Sequence, residues 1–177
     1  LDRAGLAASR HVQPDFHGNR APLADPTRQG AIVGLTLETG LDDLARDYLA
    51  TLQALAYGTR AILDALSRQG VDVSEIVISG GLASNAEYVK AHTDATGLRL
   101  LVPEREEPVL RGAAMAAAVA AGKSDSLSDA SLTMAGPART VEPDPATRGL
   151  HDRKYAVFKA MQDHFETYRR LMATDRQ

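Results

Sequence analysis

From Glu75 to Gly122 the chain alternates between two periodicities, and that alternation limits the folds open to it. VSEIVI is an apolar run of strand type, broken by the adjacent glycines of ISGGLASN (Ile78 to Asn85). A helical segment from Asn85 to about Thr96 follows and stops at Gly97. LRLLVP (98–103) reads as the next strand, and Pro108 opens a small-residue helix, PVLRGAAMAAAVAAG, that ends at Gly122. Strand, helix, strand and helix with connections of a few residues predict an α/β layer with partly parallel strands.

The flanking segments extend this pattern. Residues 11–30 carry three prolines and two glycines and read as a chain of turns, followed by a short strand, AIVGLTL (31–37). Between Asp42 and Arg68 the spacing of Leu44, Tyr48, Leu52, Leu55, Thr59, Ile62 and Leu66 predicts a long helix lying across another layer. Residues 123–150 read as a surface excursion. HDRKYAVFKAMQDHFETYRRLM reads as a closing amphipathic helix with Tyr155, Phe158, Phe165 and Tyr168 on one face.

Composition removes several classes of function. The 177 residues suit one ordinary domain, and 20 basic against 23 acidic residues are scattered, leaving no electrostatic footprint for nucleic acid or an anionic membrane. Without cysteine there is no disulfide framework, thiolate nucleophile or Cys-ligated metal. No run approaches the ~18 apolar residues of a membrane span, so a soluble protein in a reducing cytoplasm is expected. The chain opens at Leu1 rather than Met, and residues 1–11 have no strong pattern, which suggests a linker start within a longer polypeptide.

Chemistry is most plausible at the glycine pair. Gly80 and Gly81 lie at the carboxyl end of a predicted strand, where open α/β sheets bind ligands, and lack the side chains that would hold a ligand off the backbone. Ser84 with Glu87 three residues later forms a capping-box pattern, so a helix amino terminus is expected to face the same gap. A nucleotide suits such a corner, and so does a tight turn that needs glycine for geometry alone. Neither GxGxxG nor GxxxxGK[ST] is present.

Elsewhere the signals are weaker. Small residues in RGAAMAAAVAAG favour close packing over ligand contact, and Glu104, Glu106 and Glu107 favour the electrostatics of that helix's start over a paired-carboxylate site. The five histidines share no metal-ligand spacing, and GxSxG is absent. Arg20 and Asp15 are candidates for a substrate or domain contact, or equally for an ion pair that pins their loop.

Four stretches in register resemble the carboxyl-terminal domain of the FGGY carbohydrate kinases, in the ribulokinase-like branch. They are HGNRAPLADPTRQGAIVGLTLETG, DLARDYLATLQALAYGTRAILDAL, IVISGGLASNAEYVKAHTDATGLRLLVPEREEPVLRGAAMAAAVAAG and KYAVFKAMQDHFETYRRLM. The resemblance implies an actin-like ATPase fold of ribonuclease-H-like topology, with a mixed sheet flanked by helices. Residues 1–177 would form the ATP-side half of a two-domain kinase whose amino-terminal sugar-binding domain is not in this sequence.

By the same resemblance, Gly80, Gly81 and Asn85 reach the adenosine, with Leu82, Ala83 and Ser84 nearby. Phe16, Gly18, Asn19, Arg20, Gly34 and Thr36 lie beside the interdomain cleft. The full-length enzyme would phosphorylate a pentulose or pentitol, ribulose-like, using ATP and Mg2+. The family's aspartate base and its phosphate-binding segments have no counterpart here, so no catalytic residue is assigned and the chain alone is expected to be inactive. A non-catalytic actin-like interaction or pseudo-kinase module is the alternative from another class, and a different actin-like ATPase fits the loop and the long helix less well. The amphipathic closing helix leaves a homodimer open.

Overall fold

The computed structural model describes residues 4–104 and 107–173. The expected linker start is therefore followed only from residue 4, where Ala4–Ala7 form a 3-10 turn. Strand β1 (His11–Gln13) pairs antiparallel with β2 (Ala31–Val33), Val12 opposite Ile32. The predicted strand 31–37 stops at Val33 because Gly34 takes φ +89°, and a side chain there would strike the Ser9 carbonyl.

Helix α1 (Leu41–Ser67) is the scaffold of the domain. Its 27 residues span about 40 Å, and Asp42 and Asp43 sit in the first turn, where the helix dipole favours carboxylates. The predicted apolar stripe is only partly its inner face. Leu44, Tyr48 and Leu55 are exposed, whereas Ala50, Leu52, Gln53, Ala54, Ala56 and Tyr57 are buried. Alanines supply the inner contacts because two neighbours approach α1 closely, one on each side.

On one side, Leu52, Ala56 and Tyr57 pack with Ala91 and Ala95 of helix α2 (Ala86–Thr96) and with Tyr155 and Phe158 of helix α5 (Arg148–Met172). On the other, Ala50 and Ala54 pack with Ala7 and Val12. Arg10 fastens this amino-terminal segment to α1 by bonding Asp43 at 2.6 Å, Asp47, and the Gly34 carbonyl at 3.1 Å.

The second sheet has the order β3–β4–β5. Strands β3 (Glu75–Val77) and β4 (Arg99–Pro103) run parallel, Ile76 opposite Leu100, joined by α2. Strand β5 (Ala138–Val141) runs antiparallel to β4, making the sheet mixed. It lies in the stretch expected to be a surface excursion, as does helix α4 (Leu127–Met134). Val89 of α2 covers the sheet against Leu100 and Val102.

Helix α3 (Pro108–Ala120) has no buried residue; its neighbour is α4, and Arg111 bonds the Ala135 carbonyl. The close packing expected of its small residues is therefore confined to one side. Glu107 occupies its N-cap position at φ +67°, where its carbonyl accepts from the Arg111 amide at 3.1 Å and its side chain makes no cap bond. Glu106 lies outside the described residues.

Candidate functional site

The glycine pair sits just beyond β3. Gly80 takes φ +93° and ψ −178°, a conformation that only glycine adopts without strain. Gly81 then starts a 3-10 turn, Gly81–Ser84, which stands between the strand and α2 where the sequence suggested a direct entry into the helix. Gly81 needs no positive φ, and a Cβ built on it meets no atom within 4 Å. A tight turn therefore accounts for Gly80 and not for Gly81.

The expected capping box does not form. Asn85 caps α2, its Oδ1 accepting from the amides of Glu87 and Tyr88, both at 3.1 Å. Ser84 turns back and donates to the Gly81 carbonyl at 2.7 Å. The inserted 3-10 turn moves the helix start one residue on, and Asn is as good a cap as Ser. The second half of the Asn85 amide points away from the helix, and Nδ2 donates to the Tyr48 hydroxyl of α1 at 2.6 Å. Sequence spacing did not single out Tyr48; it counted only as a helix-face residue.

A cavity of about 540 Å³ opens against this corner. It is lined by Gly80, Gly81, Ala83 and Ser84, by Val102 and Pro103 of β4, and by Glu104, Glu107 and Val109. Leu82 is exposed beside it, and Asn85 stands behind Ser84 at the start of α2. The apolar part of the lining suits a flat heterocycle. Two exposed carboxylates in the lining, Glu104 and Glu107, can accept from hydroxyl or amino donors.

The second group of sequence candidates forms a separate structure. Asn19 and Asp25 exchange backbone bonds at 2.8 Å, and Asn19 Nδ2 donates to Asp15 at 2.9 Å. Gly18, at φ +80°, lies where a side chain would strike the Pro26 backbone, and the Phe16 ring covers Gly30. Buried Asp15 is taken by Gln13 and Asn19, and Arg20 is exposed, so the suggested Arg20–Asp15 pin is not made. The loop is instead held to α5, Asp25 accepting from Arg169 at 2.9 Å and Arg28 pairing with Glu166 at 3.1 Å. Gly34 and exposed Thr36 follow β2, with Thr36 Oγ1 accepting from the Glu38 amide. No hydrogen bond or ion pair among the described residues joins this group to Gly80–Asn85.

A second cavity, about 550 Å³, lies beyond α2 and is lined by Lys90, Asp94, Arg139, Asp144 and His151 among others. Asp94 is already taken by Lys90 at 2.7 Å and the Asp144 amide at 2.8 Å. Among the described residues no three histidine or carboxylate groups cluster to hold a metal, and no helix is long and apolar enough to cross a membrane.

A family model described as the C-terminal domain of the FGGY family of carbohydrate kinases matches residues 3–121. The chain is 44% identical over 167 residues to an FGGY carbohydrate kinase domain-containing protein of Xenopus laevis, covering 94% of this chain and 30% of that protein. It is 39% identical over 164 residues to a ribulokinase of Mycolicibacterium smegmatis, covering 91% and 28% respectively. The structure superimposes on a xylulose kinase from Brucella ovis with a TM-score of 0.79 at 25% identity, covering 90% of this chain and 32% of that one. The chain thus spans about three tenths of the length of these relatives.

Proposed function

The chain belongs to the FGGY family of carbohydrate kinases, as a carboxyl-terminal domain with the actin-like ATPase fold, and from that premise we propose that it seats the nucleotide of an ATP-dependent sugar kinase. One observation carries the reading: Gly81 lacks a side chain that neither its backbone conformation nor its neighbours forbid, and it lines a partly apolar cavity. Gly58 and Gly112 share that freedom, but of the three Gly81 alone lines the cavity, where a side chain would take up room for a ligand.

In this reading Gly80 and Gly81 let the nucleoside approach the main chain, Val102 and Pro103 support the base, and Asn85 fixes the amino end of α2 beside it. A sugar hydroxyl oxygen then attacks the γ-phosphorus, the bond to ADP breaks, and the hydroxyl proton passes to a base outside this chain. Mg2+, when bound, neutralises phosphate charge. Among the described residues no carboxylate cluster is available to hold it. The acceptor is a pentulose or pentitol, ribulose-like, in keeping with the ribulokinase of Mycolicibacterium smegmatis. A cytoplasmic location is in keeping with both proposed substrates.

The test is sugar-dependent ADP release. The gene's full-length product is expected to turn over with a pentulose or pentitol, and the 177-residue chain to show none. Nucleotide binding without turnover on any sugar or polyol would favour the non-catalytic alternative.

A further inference from the structure

We infer that the cavity of about 550 Å³ beside α2 is a second ligand site, which takes a small, singly charged carboxylate with Arg139 as its cationic partner and the Nε2–H of His151 as its buried donor. It shares no lining residue with the cavity at the glycine pair, so the inference stands apart from the nucleotide reading.

His151 forms the buried end of the site. It lines the cavity and is 1% exposed, with Nδ1 bonded to the Tyr57 hydroxyl at 2.9 Å. Tyr57 is not in the lining, so the ring stands between the helix interface and the cavity, with Nε2 on the cavity side. The direction of the Tyr57 bond decides what Nε2 offers. Tyr57 is 3% exposed and its hydroxyl has no other partner among the described residues, so it donates to Nδ1 rather than leave its proton buried and unbonded. The proton of the neutral ring is then on Nε2, and no acceptor for it is found among the described residues.

Most of the other polar groups in the lining are spent on one another. Lys90 pairs with Asp94 at 2.7 Å, and Asp94 also accepts from the Asp144 amide at 2.8 Å. Asp144 accepts from the Ala146 amide, Thr147 donates to the Asp144 carbonyl, and Gln53 and Glu87 have partners of their own. Arg139 is the exception. It lines the cavity together with Val141, two residues on along β5 and so on the same face, and no hydrogen bond or ion pair of its guanidinium is found among the described residues. Water would satisfy an exposed guanidinium by itself; its place in one lining with a buried, unbonded N–H is what makes it part of a site.

Both unspent groups donate, so the ligand presents acceptors, and a planar carboxylate matches the guanidinium fork. Charge sets the upper limit. The lining holds three carboxylates, Glu87, Asp94 and Asp144, against the two cations Lys90 and Arg139, which disfavours a doubly charged phosphate more than a single carboxylate. Leu49, Val89 and Val141 add apolar lining for a short carbon chain, and the volume falls within the roughly 300–1,000 Å³ of small-molecule sites.

The test follows sodium butyrate on the full-length gene product by saturation-transfer NMR, with ADP, ribitol and inorganic phosphate as competitors. Butyrate is expected to bind saturably with a Kd on the order of 1 mM. ADP and ribitol should not displace it, and phosphate should do so only at roughly tenfold higher concentration or more. Arg139→Gln should weaken butyrate roughly 10-fold with an unchanged melting temperature, and Arg139→Lys, which keeps the charge, should recover most of the loss. Butyrate that binds no better than phosphate, that ADP or ribitol displaces, or that binds Arg139→Gln as well as the unmodified protein would overturn the inference.

Discussion

Tyr57 of α1 and His151 of α5 share a buried hydrogen bond of 2.9 Å between the phenol oxygen and Nδ1, which joins the Tyr155–Asp64 bond and the Arg60–Asp152 ion pair in linking the two helices. Removing the hydroxyl leaves a buried ring nitrogen without its partner. Tyr57→Phe is therefore expected to cost about 1–3 kcal/mol in urea unfolding, more than the loss of an exposed hydrogen bond.

The same burial makes folding sensitive to acid. His11, His92 and His151 are all held below the ordinary imidazole value of 6.5, chiefly by desolvation. Each binds its proton more weakly folded than unfolded, so stability is fully present above about pH 6.5 and is lost as the pH falls through and below it. Denaturant midpoints from pH 8 down to pH 5 should show this loss, and His151→Gln should reduce it.

At alkaline pH the same sign holds for Lys154, whose ammonium is buried against the carbonyls of Ala7 and Arg10. Burial brings it down from 10.5 to about 8. The unfolded chain holds the proton in the window between, so stability should rise as the pH climbs from about 8. The rise should end near pH 10, because burial raises Tyr57 and Tyr155 above their ordinary value of 10.0 and their protons are then lost on unfolding. Lys154→Met should flatten the rise.

The two glycines of the pair are expected to respond differently. Gly80→Ala forces a side chain onto φ +93° and should lower stability by about 1–3 kcal/mol. Gly81→Val meets open space, so its melting temperature should change little while ADP affinity collapses.

Asn85 carries two bonds that can be separated. Asn85→Asp keeps an oxygen for the α2 cap and loses the Nδ2 donor, so stability should hold while nucleotide affinity falls. Asn85→Ala loses both and should cost about 1 kcal/mol of stability as well.

Much of this architecture was legible because local signals agreed. Helix α1 ends at Ser67 and α2 at Thr96 before Gly97, each within a residue of expectation, and the parallel pairing of β3 with β4 follows from the helix between them. What escaped depended on partners distant in sequence. Strand β5 is four residues, Ala138–Val141, with no alternation of its own, and it exists because β4 offers an edge. The inner face of α1 runs through alanines because close neighbours on two sides need small residues, and the larger Leu44 and Tyr48 remain outside. At the site, Gly80 and Gly81 were visible as a pair, but only three dimensions separate the glycine the backbone requires from the one it does not. Tyr48 carried no local signal, since its partner lies 37 residues away.

Amide hydrogen exchange of the full-length gene product with and without ADP tests the central claim most directly, because it locates the nucleotide as well as detecting it. The account expects ADP to slow exchange in Ser79–Tyr88 and at the start of α3, and to leave the amides around Phe16–Arg20 unchanged. Bound ADP that protects other segments and leaves Ser79–Tyr88 exchanging as before would contradict it.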